Sequence, residues 1–346
     1  RVEFNPNSRD HISRCLMKQG WKPTEFTAGG KPKIDEAVLG RLQLPNCQEL
    51  KEHFLISKRI SQLAEGNNAW LKLERNGRIY GSVNTNGAVT GRCTHSNPNV
   101  AQVPASYSPY GTECRSLFRA SKDRVLVGCD ADGLELRALA GYLKKYDGGV
   151  YAKAAVYGTK DKGSDVHSLN RDALGLSSRD TAKTFFYAFI YGAGDQKLGK
   201  ILGGGAKRGK QGRTALLSGV SGLMELTEKV KQVFRRRGHL IGLDGRKLHI
   251  RSEHSALNTL LQSAGAILMK KALILLDERL KKHYKEGDYE FVANIHDEFQ
   301  IEVKEEYAKD IAVHATEAIS RAGEYFEFGC PLSATSHIGK TWAETH

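Results

Sequence analysis

The chain has 346 residues, 40% of them hydrophobic and 26% charged, which excludes a disordered or collagenous protein and indicates a soluble globular one of two or three units with ample core. Lys+Arg number 52 against Asp+Glu 39, a net charge of +13; this suits a polyanion, since phosphate neutralisation supplies most non-specific nucleic-acid affinity, with an ordinary basic surface as the plainer alternative. The six cysteines are scattered without a C-x-x-C pair, which disfavours zinc ribbons and disulfide frameworks and fits a reducing compartment.

The first 80 residues read as mainly helical, with interruptions near Pro23, Gly29–Gly30 and Pro45, and with a helical period over 49–66. "GSVNTNGAVTGRCTHSNPNVAQVP", 81–104, reads as a loop of a length that is usually functional. "RVLVGCD", 124–130, predicts a buried strand running into the helical pattern "LELRALAGYLKKY". Residues 165–235 predict helices with a Gly-rich joint, "LGGGAKRGKQGR". An amphipathic helix follows at 254–282; Asn258, Gln262 and Lys270–Lys271 interrupt its apolar run, so it is not read as a membrane span. "FVANIHDEFQIEV", 291–303, predicts a hairpin with acids at its tip, and a last helix lies near 306–322. No repeat or signal peptide is visible. The layout predicts an α+β fold with one small sheet and a helical subdomain.

Three constellations carry chemistry. In "DADGLELR", Asp130 ends a strand, and Asp297 sits at the hairpin tip. If the two strands are neighbours, both carboxylates reach one sheet edge, where they suit Mg²⁺; two such ions serve phosphoryl transfer. The alternative is that each acid caps its element. In "RDTAKTFFYAFIYGAG", Arg179, Lys183, Tyr187 and Tyr191 fall four apart on one helix face. Two cations then suit a triphosphate and two rings a base or sugar, with His167 just upstream as a further donor; the alternative is a basic amphipathic helix with core tyrosines. Arg92, Gln102, Asn258 and Gln262 are long polar donors able to meet minor-groove acceptors without reading sequence, or else hydrogen-bonded caps. "GGAKRGKQ", 204–211, nearly matches a P-loop but ends in Gln211, so a flexible basic loop is the better reading.

In order and spacing these motifs resemble the family A DNA polymerases, the bacterial DNA polymerase I class, and look most like those of short-tailed phages. "DADGLELR", the full "RDTAKTFFYAFIYG" and "IHDE" stand where that family has its palm and fingers motifs, and "TGRCTHSNPNVAQVP", "GLDGRKLHIRS" and "ALNTLLQSAGA" look phage-like. The resemblance implies a right-hand fold with a small antiparallel palm sheet, helical fingers and a partial helical thumb. It implies residual thumb and thumb–palm connection at 1–80, palm at 81–164 and 246–346, and fingers at 165–245. The implied activity is template-directed addition of dNTPs to a primer 3′-OH, in phage genome replication in the host bacterial cytoplasm.

Under that resemblance Asp130, Asp297 and the Ala131 carbonyl would hold two Mg²⁺ ions. Arg179, Lys183 and His167 would grip the triphosphate, and Lys183 would protonate the leaving group. Tyr187 and Tyr191 would shape the nucleotide pocket, and Glu135 would exclude a ribose 2′-OH. Arg92, Gln102, His254, Asn258, Gln262 and His296 would meet primer-template DNA, with His296 and Glu298 flanking Asp297. Two residues depart from the family pattern. Asp132 stands where Ser or Thr is usual, and pairing with a nearby Arg or Lys is favoured over tuning the metals. Ala188 stands where Gly is usual and would tighten the templating-base pocket. The start at Arg1 and the ending "WAETH" lead us to expect a polymerase core whose exonuclease domain and thumb insertion for a processivity factor lie upstream. A P-loop NTPase, a non-catalytic nucleic-acid-binding module and a single-subunit RNA polymerase are the rival readings.

Overall fold

The computed structural model describes residues 3–346; the first two residues of the expected 1–80 segment lie outside that range. The chain forms two compact units, one of residues up to 82 with 95–100, the other of 83–94 with 101–346. In the first, helices Arg9–Lys18 and Cys47–Ile60 close around Ile12, Leu16, Leu39 and Phe54. Ser8 caps the first helix, its hydroxyl accepting from the His11 amide at 3.3 Å. Asp35 caps the short Glu36–Leu39 helix in the same way, accepting from Val38 at 2.8 Å. A π turn, Ser61–Glu65, continues the second helix to the end of the expected periodic run.

The second unit is built on a four-stranded antiparallel sheet. Its order is Ala334–Gly339, Arg124–Ala131, Glu298–Lys304, Tyr289–Ile295. Register explains its two faces. Val125 pairs with Val303, Val127 with Ile301 and Cys129 with Phe299, and all six side chains enter one apolar core. Helices Ala256–His283 and Ala308–Tyr325 complete that core with Leu268, Leu276, Ile311 and Ile319. Because side chains alternate along a strand, the other face carries Asp130 opposite Glu298, Gly128 opposite Gln300 and Leu126 opposite Glu302. Glu298, Gln300 and Glu302 are nonetheless buried. The reading of "FQIEV" as a simple apolar strand therefore missed a buried polar face.

Beyond the sheet lie seven helices in succession: Leu134–Asp147, Val150–Tyr157, Val166–Leu174, Arg179–Ile190, Asp195–Ile201, Ala206–Gly219 and Leu223–Arg237. They share a second apolar core that includes Leu139, Phe185, Phe186, Leu198 and Leu216. Helix Ala256–His283 joins the two cores: Leu257, Leu261 and Ala264 enter the helical one, Leu268, Met269 and Leu276 the sheet one. Every residue from 263 to 269 is buried, so it is a core helix and not the amphipathic helix expected. By length and composition it would cross a membrane, but 67% of its most apolar window is covered by the rest of the protein.

The "GGAKRGKQ" stretch corrects a second expectation. It is not a flexible loop but lies largely within helix Ala206–Gly219. Glycine serves close packing there: a Cβ on Gly209 would fall 1.9 Å from the Asp195 carbonyl oxygen of the neighbouring helix. Gly209→Ala is therefore expected to force the two helices apart and destabilise the protein by about 1–3 kcal/mol. A denaturant midpoint unchanged from wild type would show that the packing yields without cost.

Candidate active site

The two strand ends converge by backbone geometry. Asp130 is the penultimate residue of its strand and lies in register with Glu298. One step beyond that pair, the Ala131 amide donates to the Asp297 carbonyl at 3.0 Å. The hairpin turns on His296 and Asp297 alone, with His296 at φ 56°, a left-handed conformation that histidine tolerates better than most residues. Both acids thus arrive at one sheet edge. The Asp130 carboxyl is pushed up to about 7 by desolvation, then by the charges of Asp297 and Glu298. Asp130 has a solvent-exposed side, so this desolvation comes from the protein crowding it within the cleft. Asp297 is pushed up to about 6 by burial, then by Glu135.

Glu298 is treated differently. Burial alone would raise it, but hydrogen bonds hold it below the usual carboxylate range. It receives Trp342 Nε1 at 2.6 Å and Gln300 Nε2 at 2.6 Å, and pairs with His346 Nδ1 at 2.8 Å. Thr345 adds a 2.8 Å bond to Gln300 Oε1. Sequence reading missed Trp342, Thr345 and His346. The nearest of them in sequence, Trp342, lies 44 residues from Glu298, and no local pattern marks them.

Asp132 is also corrected. The strand stops at Ala131, and Asp132 lies just past its end. Among the described residues no Arg or Lys pairs with its carboxylate, which accepts Ser333 Oγ at 2.6 Å and Thr335 Oγ1 at 2.8 Å. Arg137 reaches only its backbone carbonyl, at 2.8 Å. The edge strand and the residue just before it supply the two hydroxyls.

Helix Arg179–Ile190 starts at Ser178, whose hydroxyl accepts from Thr181 at 3.2 Å. Arg179 is not a free cation: its guanidinium donates to both oxygens of Asp165, through Nε at 3.3 and 3.2 Å and through Nη2 as well. Asp165 also caps Val166–Leu174 by accepting from the Ser168 amide at 3.0 Å. Lys183 is exposed. The Tyr187 and Tyr191 rings stack, with centroids 6.4 Å apart and planes at 22°, and Tyr187 packs on His167 at 5.8 Å. His167 is buried, its Nδ1 has no partner, and burial then Arg179 and Lys183 hold it down to about 4, so it is neutral near pH 7. Ala188 packs on the helical core.

Glu135 links the sheet edge to the rings. Its Oε1 accepts Tyr191 Oη at 3.0 Å and Arg92 Nη2 at 2.7 Å, and its charge and that of Asp297 raise Tyr187 after burial does. Asn258 donates to the Ile190 carbonyl at 2.5 Å, closing the end of the tyrosine helix. Asn258 and Gln262 also line a cleft with Thr90 and Arg251. Gln102 ends a short 3₁₀ turn, and His254 and His296 are exposed. Among the described residues no three His, Cys, Asp or Glu side chains are grouped to hold a metal.

A sequence model of DNA polymerase family A matches residues 1–344. The chain belongs to DNA polymerase family A. This family A chain is 43% identical over 379 residues to the DNA-directed DNA polymerase of Enterobacteria phage T3, covering 100% of the chain and 53% of that relative. It is 42% identical over 379 residues to that of Escherichia phage T7, with the same coverage. DNA polymerase I of Pseudomonas aeruginosa is 26% identical, with 99% of the chain and 39% of that relative covered. The chain spans about half the length of the phage relatives. The POL domain of Pol1 from M. smegmatis, in complex with DNA primer-template and dNTP, superposes with a TM-score of 0.83 at 20% identity, over 99% of this chain and 62% of that one. The fold is thus that of a right-hand polymerase domain, α+β as expected.

The half-buried Arg179–Asp165 ion pair has a measurable signature. Asp165 is held well below the usual carboxylate range, against the pull of burial, by Arg179 and Ser168. Its stabilisation is complete above the unfolded value of about 3.9 and is lost as pH falls through the lower folded one. Asp165→Asn, which keeps the cap, should cost about 1–3 kcal/mol at pH 7 in a denaturant melt. That gap should narrow below about pH 4; a gap that stays constant would trace the loss to something other than the charge.

Proposed function

We propose that this chain is a template-directed DNA polymerase. It would add dNTPs to a primer 3′-OH by nucleotidyl transfer, in phage genome replication in the host bacterial cytoplasm. The observation that carries the proposal is the sheet edge at which Asp130 and Asp297 meet, beside Glu135 and the stacked tyrosines. Family A polymerases are metal-dependent. We assign two Mg²⁺ ions to Asp130, Asp297 and the Ala131 carbonyl. The donor set fits: two acids raised by desolvation and by neighbouring carboxylates call for a hard cation, and Mg²⁺ usually completes its shell with substrate phosphates and water. Bound there, the ions would activate the attacking oxygen and neutralise charge on the leaving one.

The protein's own residues would do the positioning. Lys183, free and exposed, would hold the triphosphate and give a proton to the departing pyrophosphate. Neutral His167 would add a hydrogen bond without adding charge. Arg179 would share its fork between Asp165 and phosphate, so Asp165 sets where that fork points. The Tyr187–Tyr191 stack would form the wall against the base. Arg92, Gln102, His254, Asn258, Gln262 and His296 would line the primer-template path. Residues 165–245 would act as fingers, 81–164 and 246–346 as palm, and 1–80 as residual thumb and its connection. A processivity factor, if one serves the protein, would act through a thumb segment.

Primer extension with Mg²⁺ tests the proposal directly. Asp297→Asn should reduce extension at least about a thousandfold while binding of primed DNA persists. Extension at the wild-type rate would remove Asp297 from the chemistry. Glu135, held by Arg92 and Tyr191, would exclude a 2′-OH. Glu135→Ala should therefore raise the ratio of ribonucleotide to deoxynucleotide incorporation about ten- to a hundredfold. An unchanged ratio would place sugar selection elsewhere.

A further inference from the structure

Resting on the polymerase reading, we propose that Arg246 is a positioning residue for sugar selection. It stands at the tip of the hairpin formed by strands His239–Ile241 and Lys247–His249. From there it braces loop 85–93 and so holds Arg92 against Glu135. The loop contains no helix or strand, so its place depends on side chains from outside it. Lys270 donates to the Thr85 carbonyl, and Arg246 Nη1 donates to Asn86 Oδ1 at 2.9 Å. Near the loop's other end Arg92 Nη2 donates to Glu135 at 2.7 Å. The Arg246 guanidinium also lies against the backbone of buried Gly91, where a Cβ would fall 2.5 Å from Nη1. Gly91 stands at φ 78°, so glycine serves both the turn and the close approach. Arg92 is the next residue, and a shift at Gly91 passes straight to it.

The anchor is more firmly built than the loop it holds. Leu240 pairs with Leu248 across the hairpin, and both are buried in the helical core. The Gly242 amide donates to the Arg246 carbonyl at 2.9 Å and closes the turn. Asp244 accepts the Arg246 amide at 3.2 Å and its Nε at 2.8 Å. That second bond aims the planar guanidinium, so that Nη1 meets Asn86. Arg246 is thus held from behind by its own hairpin and reaches forward to the loop. A residue so far from the chemistry acts by placement. Without the brace Glu135 keeps its bond from Tyr191 at 3.0 Å, but the Arg92 that fixes its carboxylate from the other side is loosened.

The test measures kcat/KM for a ribonucleotide and for the matching deoxynucleotide on one primer-template, in wild type, Arg246→Ala and Asn86→Ala. Each variant should raise the ribonucleotide to deoxynucleotide ratio about three- to tenfold. The two together should do no more than Arg246→Ala alone, because they break the same bond. Asn86→Asp, which keeps an acceptor for Arg246, should hold the wild-type ratio. In an Arg92→Ala background, Arg246→Ala should add nothing. Should Arg246→Ala fold poorly, Asn86→Ala, a change at an exposed residue, carries the test. A wild-type ratio in Asn86→Ala, or effects that multiply in the double variant, overturns the proposal. So does an Arg246→Ala variant that keeps the ratio but binds primed DNA more weakly with a shallower salt slope, which would make Arg246 a phosphate contact. Amide hydrogen exchange without DNA is read separately. The Gly91 amide, bonded to the Ala88 carbonyl at 2.9 Å, should exchange about tenfold faster in both alanine variants. Unchanged exchange overturns the brace. If exchange quickens but wild type extends no primer, the brace stands and the polymerase reading falls.

Discussion

One backbone constraint organises this protein: the antiparallel register of Arg124–Ala131 with Glu298–Lys304, sealed by the Ala131 amide on the Asp297 carbonyl. A slip of one residue would send the apolar set to the wrong face and carry Asp130 away from the hairpin tip. The register therefore fixes core and site together. Val125, Val127, Cys129, Phe299, Ile301 and Val303 cannot be buried without also bringing the two acids to one edge.

Acids at that edge are held in two ways. Glu298 is saturated with donors from Gln300, Trp342 and His346, so it stays charged at little cost and is inert to further ligands. Asp130 and Asp297 are instead raised by burial and by neighbouring carboxylates. That difference separates the structural acid from the proposed metal-holding ones. Asp132, tied to two hydroxyls, belongs with the structural acid.

The helical lobe is joined to the edge by few, well-defined contacts. Asn258 on the core helix holds the carbonyl of Ile190, and Glu135 holds the Tyr191 hydroxyl. These end the tyrosine helix where its rings face the acids. Asp165 fixes its other end through Arg179. The tyrosine helix is thus pinned at both ends by side chains from other elements.

Much of this was legible in the chain itself. Strand 124–130, the hairpin, the helical stretches and the family resemblance all rest on local periodicity and motif spacing, which short-range sterics and hydrophobic alternation encode directly. The four-residue spacing of Arg179, Lys183, Tyr187 and Tyr191 likewise placed them on one face before any coordinates. Other features had no local signature. Glu298 and Gln300 meet a tail segment more than forty residues away, and Glu302 receives the Ser121 amide. The pairing of Arg179 with Asp165, and of Asp132 with Ser333 and Thr335, depends on which neighbours packing brings within hydrogen-bond reach. The basic "GGAKRGKQ" lies largely in a helix whose Gly209 lets a neighbouring helix approach closely, a contact that no local pattern announces. Sequence determined which elements form and which residues share a face. Tertiary structure alone decided which charge meets which, because an ion pair or a buried hydrogen bond requires an approach within a few ångströms that only the packed core enforces.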